Sequence, residues 1–431
     1  MSRPDSPGSP TIIRTAARTS RRRRSHRSLT GLLLAAALVA AALAPSKGTA
    51  AWPNWRGPSH DGIADETLPE GRLQLEVAWR AEAGIGFSSF AIVGDRVLTM
   101  GNVDNIDQVS CWRLNDGELL WRHEYACDLD PLYYEGGPGA TPTVHEGVVY
   151  TLSKKGHVHA LRLDDGRVVW QRDLLADHGL ELPEWSFAGS PAIDHDQLLL
   201  NVGSHGVALD LAGGATRWVS GTDTSGYATP VRWQPGTGAD QPPMWLMFGA
   251  QALHAIDRTG AAKWSLEWPS SRGVNAADPM VHGDQVLVAS SSGAALLEWD
   301  PAAGNVIERW RHRDLRSYFN PGVLLDGHVY AIDGTTHNPT NLICLRWDDG
   351  EVVWQERGFG SGGLILAGDV LVICDRGELI LVRATPEGYE ELVRKQVLGG
   401  KCWTAPALAD GHILARNAAG DVVAVRVIAL P

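Results

Sequence analysis

The side chains suited to covalent or metal chemistry are scattered in this sequence. Five cysteines, Cys111, Cys127, Cys344, Cys374 and Cys402, stand apart from one another. No two are adjacent and none form C-x-x-C, so the spacing offers neither a thiolate metal cage nor a haem attachment. Cys111 and Cys344 fall in strand-like apolar runs and read as small buried hydrophobes. There is no H-E-x-x-H, no G-x-S-x-G and no Walker-type loop. Asp128 with Asp130, and Asp164 with Asp165, could suggest calcium but read as solvated turns. The Gly-rich runs at 136–139 and 358–363 lack a strand before and a helix after, so they read as close backbone approaches rather than phosphate cradles. No catalytic residue and no metal ligand is assigned.

Binding chemistry is better represented. Ser89, Thr141, Ser190, Thr229, Asp278 and Asn320 recur, with Gly363 and Ala405, at one position of a repeat. Near them lie Tyr134, Glu184, Trp185, Tyr227, Asn275, Tyr318, His337, Lys401, Trp403 and Arg416. Polar and aromatic groups converging on one mouth would suit a small molecule or a peptide. The alternative is that such polar side chains only satisfy strand-end backbone groups. A second motif spans residues 52–62, where Trp52, Trp55 and Arg56, with Gly57 and Gly62, could form a cation–π cluster. It reads either as a clasp docked on the rest of the chain or as a platform for a partner or glycan.

The elements that must hold these residues are repeats. Trp79, Trp121, Trp170, Trp218, Trp264, Trp310 and Trp354 follow one another at gaps of 42 to 49 residues. That period, with strand-forming content, predicts a β-propeller. A Gly precedes Trp by four residues in Gly117-Trp121, Gly166-Trp170, Gly214-Trp218, Gly260-Trp264 and Gly350-Trp354. Asp-Gly supplies the hairpin turn, and the Trp packs against the next repeat. Eight openings occur, near 89, 141, 190, 229, 278, 320, 363 and 405. The seventh unit closes without Trp, at Gly388 and Leu392. The eighth lacks its fourth strand, which residues 75–80 would supply. The expected fold is therefore all-β, an eight-bladed propeller of four-stranded antiparallel blades over 75–428, closed by an N-terminal strand.

Composition bounds the setting. At 44% hydrophobic and 20% charged, the chain can bury a full core. Residues 1–50 hold nine basic residues and one acid, leaving 29 basic and 49 acidic residues in the remainder, a formal −20. Such an acidic body argues against nucleic acid and anionic lipid as partners. The basic leader and the apolar run 29–44 read as a signal peptide over 1–51, or an uncleaved N-terminal anchor. Arg21 to Arg24 allow twin-arginine export. No Cys ends the apolar run, so a lipid-modified N-terminus is not expected. Residues 52–74 form the clasp segment, and no later stretch is apolar enough to span a membrane.

The Gly-x-x-x-Trp phrases resemble the tryptophan-docking motif of eight-bladed propellers of the PQQ repeat superfamily. Residues 52–62 and the tail around Cys402-Trp403-Thr404-Ala405-Pro406 resemble an exported bacterial subgroup, and the whole is similar to the propeller subunits of outer-membrane barrel-assembly machinery. The resemblance admits a quinoprotein dehydrogenase, with pyrroloquinoline quinone and calcium at the ring centre. Those enzymes use a vicinal Cys pair that this sequence lacks, so neither cofactor is expected. The expected role is a monomeric, non-catalytic scaffold for a protein or peptide in the cell envelope, exported to the periplasm or beyond. The alternative is an enzyme with its site at the funnel, either a quinoprotein oxidoreductase or a hydrolase.

Overall fold

Period-two apolar alternation, broken by Gly-, Asn- and Asp-rich turns, folds the chain into eight four-stranded antiparallel blades. The computed structural model describes residues 51–236, 242–336 and 340–431; the leader and His337 lie outside them. The blades follow in chain order: 91–126, 143–173, 192–219, 231–267, 280–312, 323–359, 363–396 and 407–429. Helix is confined, among the described residues, to Leu174–His178 and a 3-10 turn at Ser271–Gly273. Each blade begins with a short inner strand, such as Ala91–Val93, and ends on a longer, half-exposed outer one.

The last blade takes its outer strand from the N-terminal side. Leu73–Glu82 runs antiparallel to Asp421–Ala429, with Val77 opposite Val425 and Trp79 opposite Ala424. The pairing is longer than the 75–80 read from sequence. It joins both ends of the ring and removes two open sheet edges.

Each outer strand carries a β-bulge immediately before its Trp. Leu120 is skipped in the ladder before Trp121, and Val169 before Trp170. The extra residue turns the strand, so the indole leaves its own sheet and reaches the next blade. In blade 7 the skipped residue is Leu392 itself. Val393, not Leu392, therefore stands where the other blades carry Trp.

The indoles meet the glycines of the neighbouring turns. Trp79 covers Gly117, Trp121 covers Gly166, Trp170 covers Gly214, Trp218 covers Gly260 and Trp310 covers Gly350; a Cβ on any of these glycines would fall under 3.0 Å from the ring. The indole N–H then donates to a carbonyl of that blade, as in Trp121 to Leu163 (2.8 Å) and Trp310 to Trp347 (2.9 Å). Trp264 differs. Its partner turn in blade 5 is longer, so Gly304 has no ring against it. Trp264 packs edge-on to Trp233 (5.9 Å), and its N–H has no acceptor among the described residues. Trp354 donates to Thr385 (2.8 Å) and meets Tyr389 in place of a glycine.

The core is a ring of wedges between neighbouring blades. One apolar cluster joins blades 1 and 2 through Val109, Cys111 and Val149, and another joins blades 5 and 6 through Leu296 and Ile343. The largest spans blades 7, 8 and 1. All five cysteines are buried free thiols within this framework.

Replacing Trp121 with Phe leaves the Leu163 carbonyl without its donor, whereas the same change at Trp264 removes an N–H that had no acceptor. Trp121→Phe should therefore lower the unfolding free energy by roughly 1–2 kcal/mol more than Trp264→Phe in urea denaturation. Equal losses would show that the indole bond contributes nothing beyond packing.

Candidate functional site

The lead-in residues of the inner strands are tied into a circle. The Ser89 N–H donates to Thr141 Oγ1 (3.0 Å), and the Thr141 N–H to Ser190 Oγ (2.9 Å). Ser190 N–H then donates to Thr229 Oγ1 (3.0 Å), and Thr229 N–H to Asp278 Oδ1 (2.7 Å). Farther round, Asn320 Nδ2 donates to the Trp403 carbonyl (2.8 Å), and Ser89 Oγ to that of Ala405 (2.8 Å). These side chains do satisfy strand-end backbone groups, but those of the adjoining blade rather than their own.

The N-terminal segment fills the gap between blades 5 and 6. Trp52 exchanges backbone bonds with Ile92 of blade 1 (2.8 and 2.7 Å), and the Pro53 carbonyl accepts from Val144 of blade 2 (2.8 Å). Trp55 Nε1 donates to Asp278 Oδ2 (2.6 Å), where blade 5 begins. The buried Arg56 guanidinium donates to the carbonyls of Pro321 (3.3 Å) and Gly322 (2.7 Å), where blade 6 begins. Ile63–Ala64 then joins blade 7 as a parallel strand. A segment that touches blades 1 and 5 of an eight-membered ring must cross its axis, so residues 52–64 lie across the central channel. Gly57 lies under the Trp52 ring and Gly62 against the Arg56 guanidinium, each too near to admit a Cβ. Burial commits Arg56 to carbonyls and Trp55 to Asp278, so among the described residues the segment holds itself to the blades by hydrogen bonds rather than by cation–π contact.

Above this floor opens a cup of about 780 Å³. Of the expected residues, Trp185, Ser190, Tyr227, Thr229, Asp278, Tyr318, Asn320 and Trp403 line it. Ser89 and Thr141 are enclosed within the hydrogen-bonded circle. Lys401 sits behind Trp403, its Nζ 4.2 Å from the ring centroid and 2.8 Å from Glu135. Arg416 is not at the mouth. It is a fully buried strut at the end of the blade-8 strand His412–Arg416, donating to the carbonyls of Gly84 (2.8 Å) and Met100 (2.6 Å) at blade 1. His337 lies outside the described residues.

Sequence reasoning missed half of the aromatic wall. Phe319, Trp403 and Phe87 form a continuous shelf, with near-parallel rings at 4.9 and 5.5 Å. Tyr318 extends it at one end and Tyr134 at the other. The shelf passes directly from blade 6 to blade 8. Blade 7 begins with Gly360, Ser361, Gly362 and Gly363, and a Cβ on Gly363 would collide with Ala405. Opposite stand Trp185, Phe187 and Tyr227, with Trp55 at the floor. Tyr133 and Arg272 meet at 5.8 Å across the lip. A signal was available: the residue two places before each lead-in position (Phe87, Gly139, Ala188, Tyr227, Ala276, Tyr318, Trp403) lines the cup in seven blades.

Burial governs the site's titration. The hydroxyls of Tyr134 and Tyr227 are pushed up to about 12 by burial. Burial also raises the Asp278 carboxyl to about 6, against the opposing pull of Arg56, the Thr229 N–H and the Trp55 indole. It lowers His60 to about 4, with help from Arg56. The folded chain holds the Asp278 proton more tightly than the unfolded chain. Its contribution is present below about pH 4 and lost as pH rises to about 6, roughly 2–3 kcal/mol. His60 acts oppositely, its contribution being lost as pH falls from about 6.5 to about 4. The melting temperature of Asp278→Asn, relative to the parent, should rise between pH 4 and 6.5 and level off above pH 7. A constant difference across that range would show that Asp278 does not titrate in the folded chain.

The residues present do not fit pyrroloquinoline quinone with calcium. Both Asp278 oxygens are already committed, and the channel beneath is crossed by residues 52–64. Cys374 and Cys402 are buried free thiols away from the cup lining. Among the described residues, no cluster of three His, Cys, Asp or Glu could hold a metal ion.

Comparison with known proteins agrees with this architecture. The family described as outer membrane protein assembly factor BamB matches residues 37–234 and 100–356. BamB of Yersinia pestis is 25% identical over 288 residues, 63% of this chain and 70% of that protein. The crystal structure of BamB from Moraxella catarrhalis superposes with a TM-score of 0.59 at 18% identity, covering 82% of this chain and 98% of that one. A europium-containing methanol dehydrogenase reaches 0.63 at 12% identity, covering 88% of this chain and 98% of that one. The quinohemoprotein alcohol dehydrogenase ADHIIG of Pseudomonas putida HK5 reaches 0.59 at 12%, covering 88% and 80%. At such identities the solved structures share the fold alone. With eight indole-docked blades and a match over most of its length, the chain belongs to the BamB family of PQQ-type repeat propellers.

Proposed function

We propose that the chain is an exported, non-catalytic interaction scaffold that works in assembly at the cell envelope. The observation that carries this reading is the cup: its wall is aromatic, and the polar groups beneath it are consumed by the fold. Ser190, Thr229 and Asp278 hold neighbouring backbone, and Lys401 and Arg272 are paired with Glu135 and Glu184. What remains is surface for contact, and among the described residues of the cup no nucleophile is set beside a base. The assembly role follows the name of the Yersinia pestis relative. The periplasmic location follows the basic leader and its apolar run. Among the described residues no helix is long and apolar enough to cross a membrane.

Depleting the chain from its host should lower the amount of folded β-barrel protein in the outer membrane, read by heat-modifiable mobility of those barrels in gels. Unchanged barrel levels would remove the assembly role. The mature chain supplied with pyrroloquinoline quinone and calcium should not reduce dyes with alcohols or aldoses. Robust turnover would replace the scaffold with an oxidoreductase.

A further inference from the structure

The cup has a character that narrows what can enter it. A ligand rich in hydroxyls or charges needs free donors and acceptors, and the floor offers few. Thr229 Oγ1 accepts from Ser190, and Asn320 Nδ2 is spent on the carbonyls of Gly362 and Trp403. The cations at the mouth face inward onto rings: Lys401 over Trp403, and Arg272 over Trp185 and Tyr133. Most of the uncommitted area is aromatic, and aromatic area gains most by covering apolar or aromatic groups.

The apolar surface also continues outward past the lip. Tyr133 is 81% exposed and Leu132 38% exposed, on the loop that leads from blade 1 to blade 2. Single exposed hydrophobes need no explanation, but these adjoin a concave aromatic wall. The same lip holds backbone in the left-handed region at Asp130 (φ 51°), Tyr133 (φ 61°), Ser186 (φ 67°) and Arg272 (φ 56°). Strain of this kind gathers at ligand clamps. A small molecule seated at the floor would leave Leu132 and Tyr133 bare. An occupant that covers both cup and lip must protrude from a larger body.

Charge sets the flanks of that occupant. The body of the chain carries a formal −20. Asp128 and Glu181, on the loops that carry the lip and Trp185, have no cation within ion-pair distance among the described residues. Basic residues beside an inserted apolar element would meet this field favourably and speed its approach.

We infer that the cup receives an aromatic-bearing apolar segment of a partner polypeptide, flanked by basic residues, with Phe319, Trp403 and Phe87 as its stacking shelf and Tyr133 as its lip. The inference rests on the scaffold reading, and it assigns the face and the chemistry that reading leaves open.

The test uses the mature full chain and synthetic peptides in calorimetry at low salt. The probe alternates Phe with Ser and carries two Lys at each end. It should bind. Replacing its Phe by Ala should weaken binding at least ten-fold, and replacing Lys by Glu several-fold, with the second effect fading at high salt. Trp403→Ala and Phe319→Ala in the chain should each weaken binding at least ten-fold. Tyr133→Ala, an exposed site that cannot unfold the ring, should weaken it several-fold, while Val353→Ser on the distant outer rim should do nothing. Binding that ignores Trp403, Phe319 and Tyr133 overturns the inference. So does tighter binding of maltohexaose or decanoate than of the peptide, which would make the cup a saccharide or acyl site. If host depletion lowers folded barrels while the peptide ignores the cup, the scaffold stands and this inference falls. If the peptide binds at the cup but barrels are unaffected, the assembly role falls alone.

Discussion

The structure depends on hydrogen bonds around its axis, where in the first four blades the lead-in backbone N–H is held by the next blade's side-chain oxygen. Short hydroxyl and carboxyl side chains suit this because they place an acceptor within bonding reach of the adjoining strand without filling the crowded centre. The circle runs unbroken from Ser89 through Thr141, Ser190 and Thr229 to Asp278. Between Asp278 and Asn320 it is spanned by Trp55 and Arg56. The N-terminal segment is thus an internal component of the ring, and it turns the channel into a closed-bottomed vessel. A buried arginine there would be costly alone. Carbonyls of blade 6 solvate it, and Asp278 offsets its charge.

A second fastening works at the rim, through surfaces of complementary size. Each docking indole needs a flat receiver, and a glycine in a tight turn is the residue that exposes bare backbone to it. Where the receiver is absent, as beyond Trp264, the ring substitutes edge-on aromatic packing and leaves an indole N–H without an acceptor. Axis and rim therefore hold adjacent blades by different means, side-chain oxygens within and indoles seated and hydrogen-bonded on turns without. The wedge-shaped cores between them need only fill volume.

The fold was legible because it repeats. Tryptophan recurs at a blade's length, and a turn glycine four residues before it marks the same hairpin at Trp121, Trp170, Trp218, Trp264 and Trp354. The closing strand could be read from a missing Trp at one end and a spare one, Trp79, at the other. The path of residues 52–64 could not. Its partners, Asp278 and Gly322, are more than two hundred residues away, and no local pattern encodes a chain crossing an axis. The cup was half legible. Trp185, Tyr227, Tyr318 and Trp403 stood out, but Phe87 and Phe319 did not, because the position they occupy or adjoin is aromatic in some blades and Gly139, Ala188 or Ala276 in others. That variation shapes the cup. Small residues at Gly139 and Ala188 widen the cup on one side, and large ones at Phe87 and Trp403 wall it on the other. The seventh Trp position misled for a physical reason: the bulge, not the count from glycine, decides which residue turns outward, and in blade 7 that is Val393.

An open aromatic vessel on a protein is a hazard, and the sequence contains the counterweight. Mouth-to-mouth pairing of two copies would bury the shelf as effectively as any ligand would. It would also bring together two bodies of formal charge −20, a repulsion that grows as the surfaces meet. The inward-facing cations reduce the remaining hazard locally. Lys401 covers the back of the Trp403 ring, and Arg272 shields Trp185, so less aromatic face is offered to solvent than the number of rings suggests. The charge that discourages pairing with its own kind also favours a basic visitor. The acidity of the body and the aromaticity of the cup are then two halves of one selection rule.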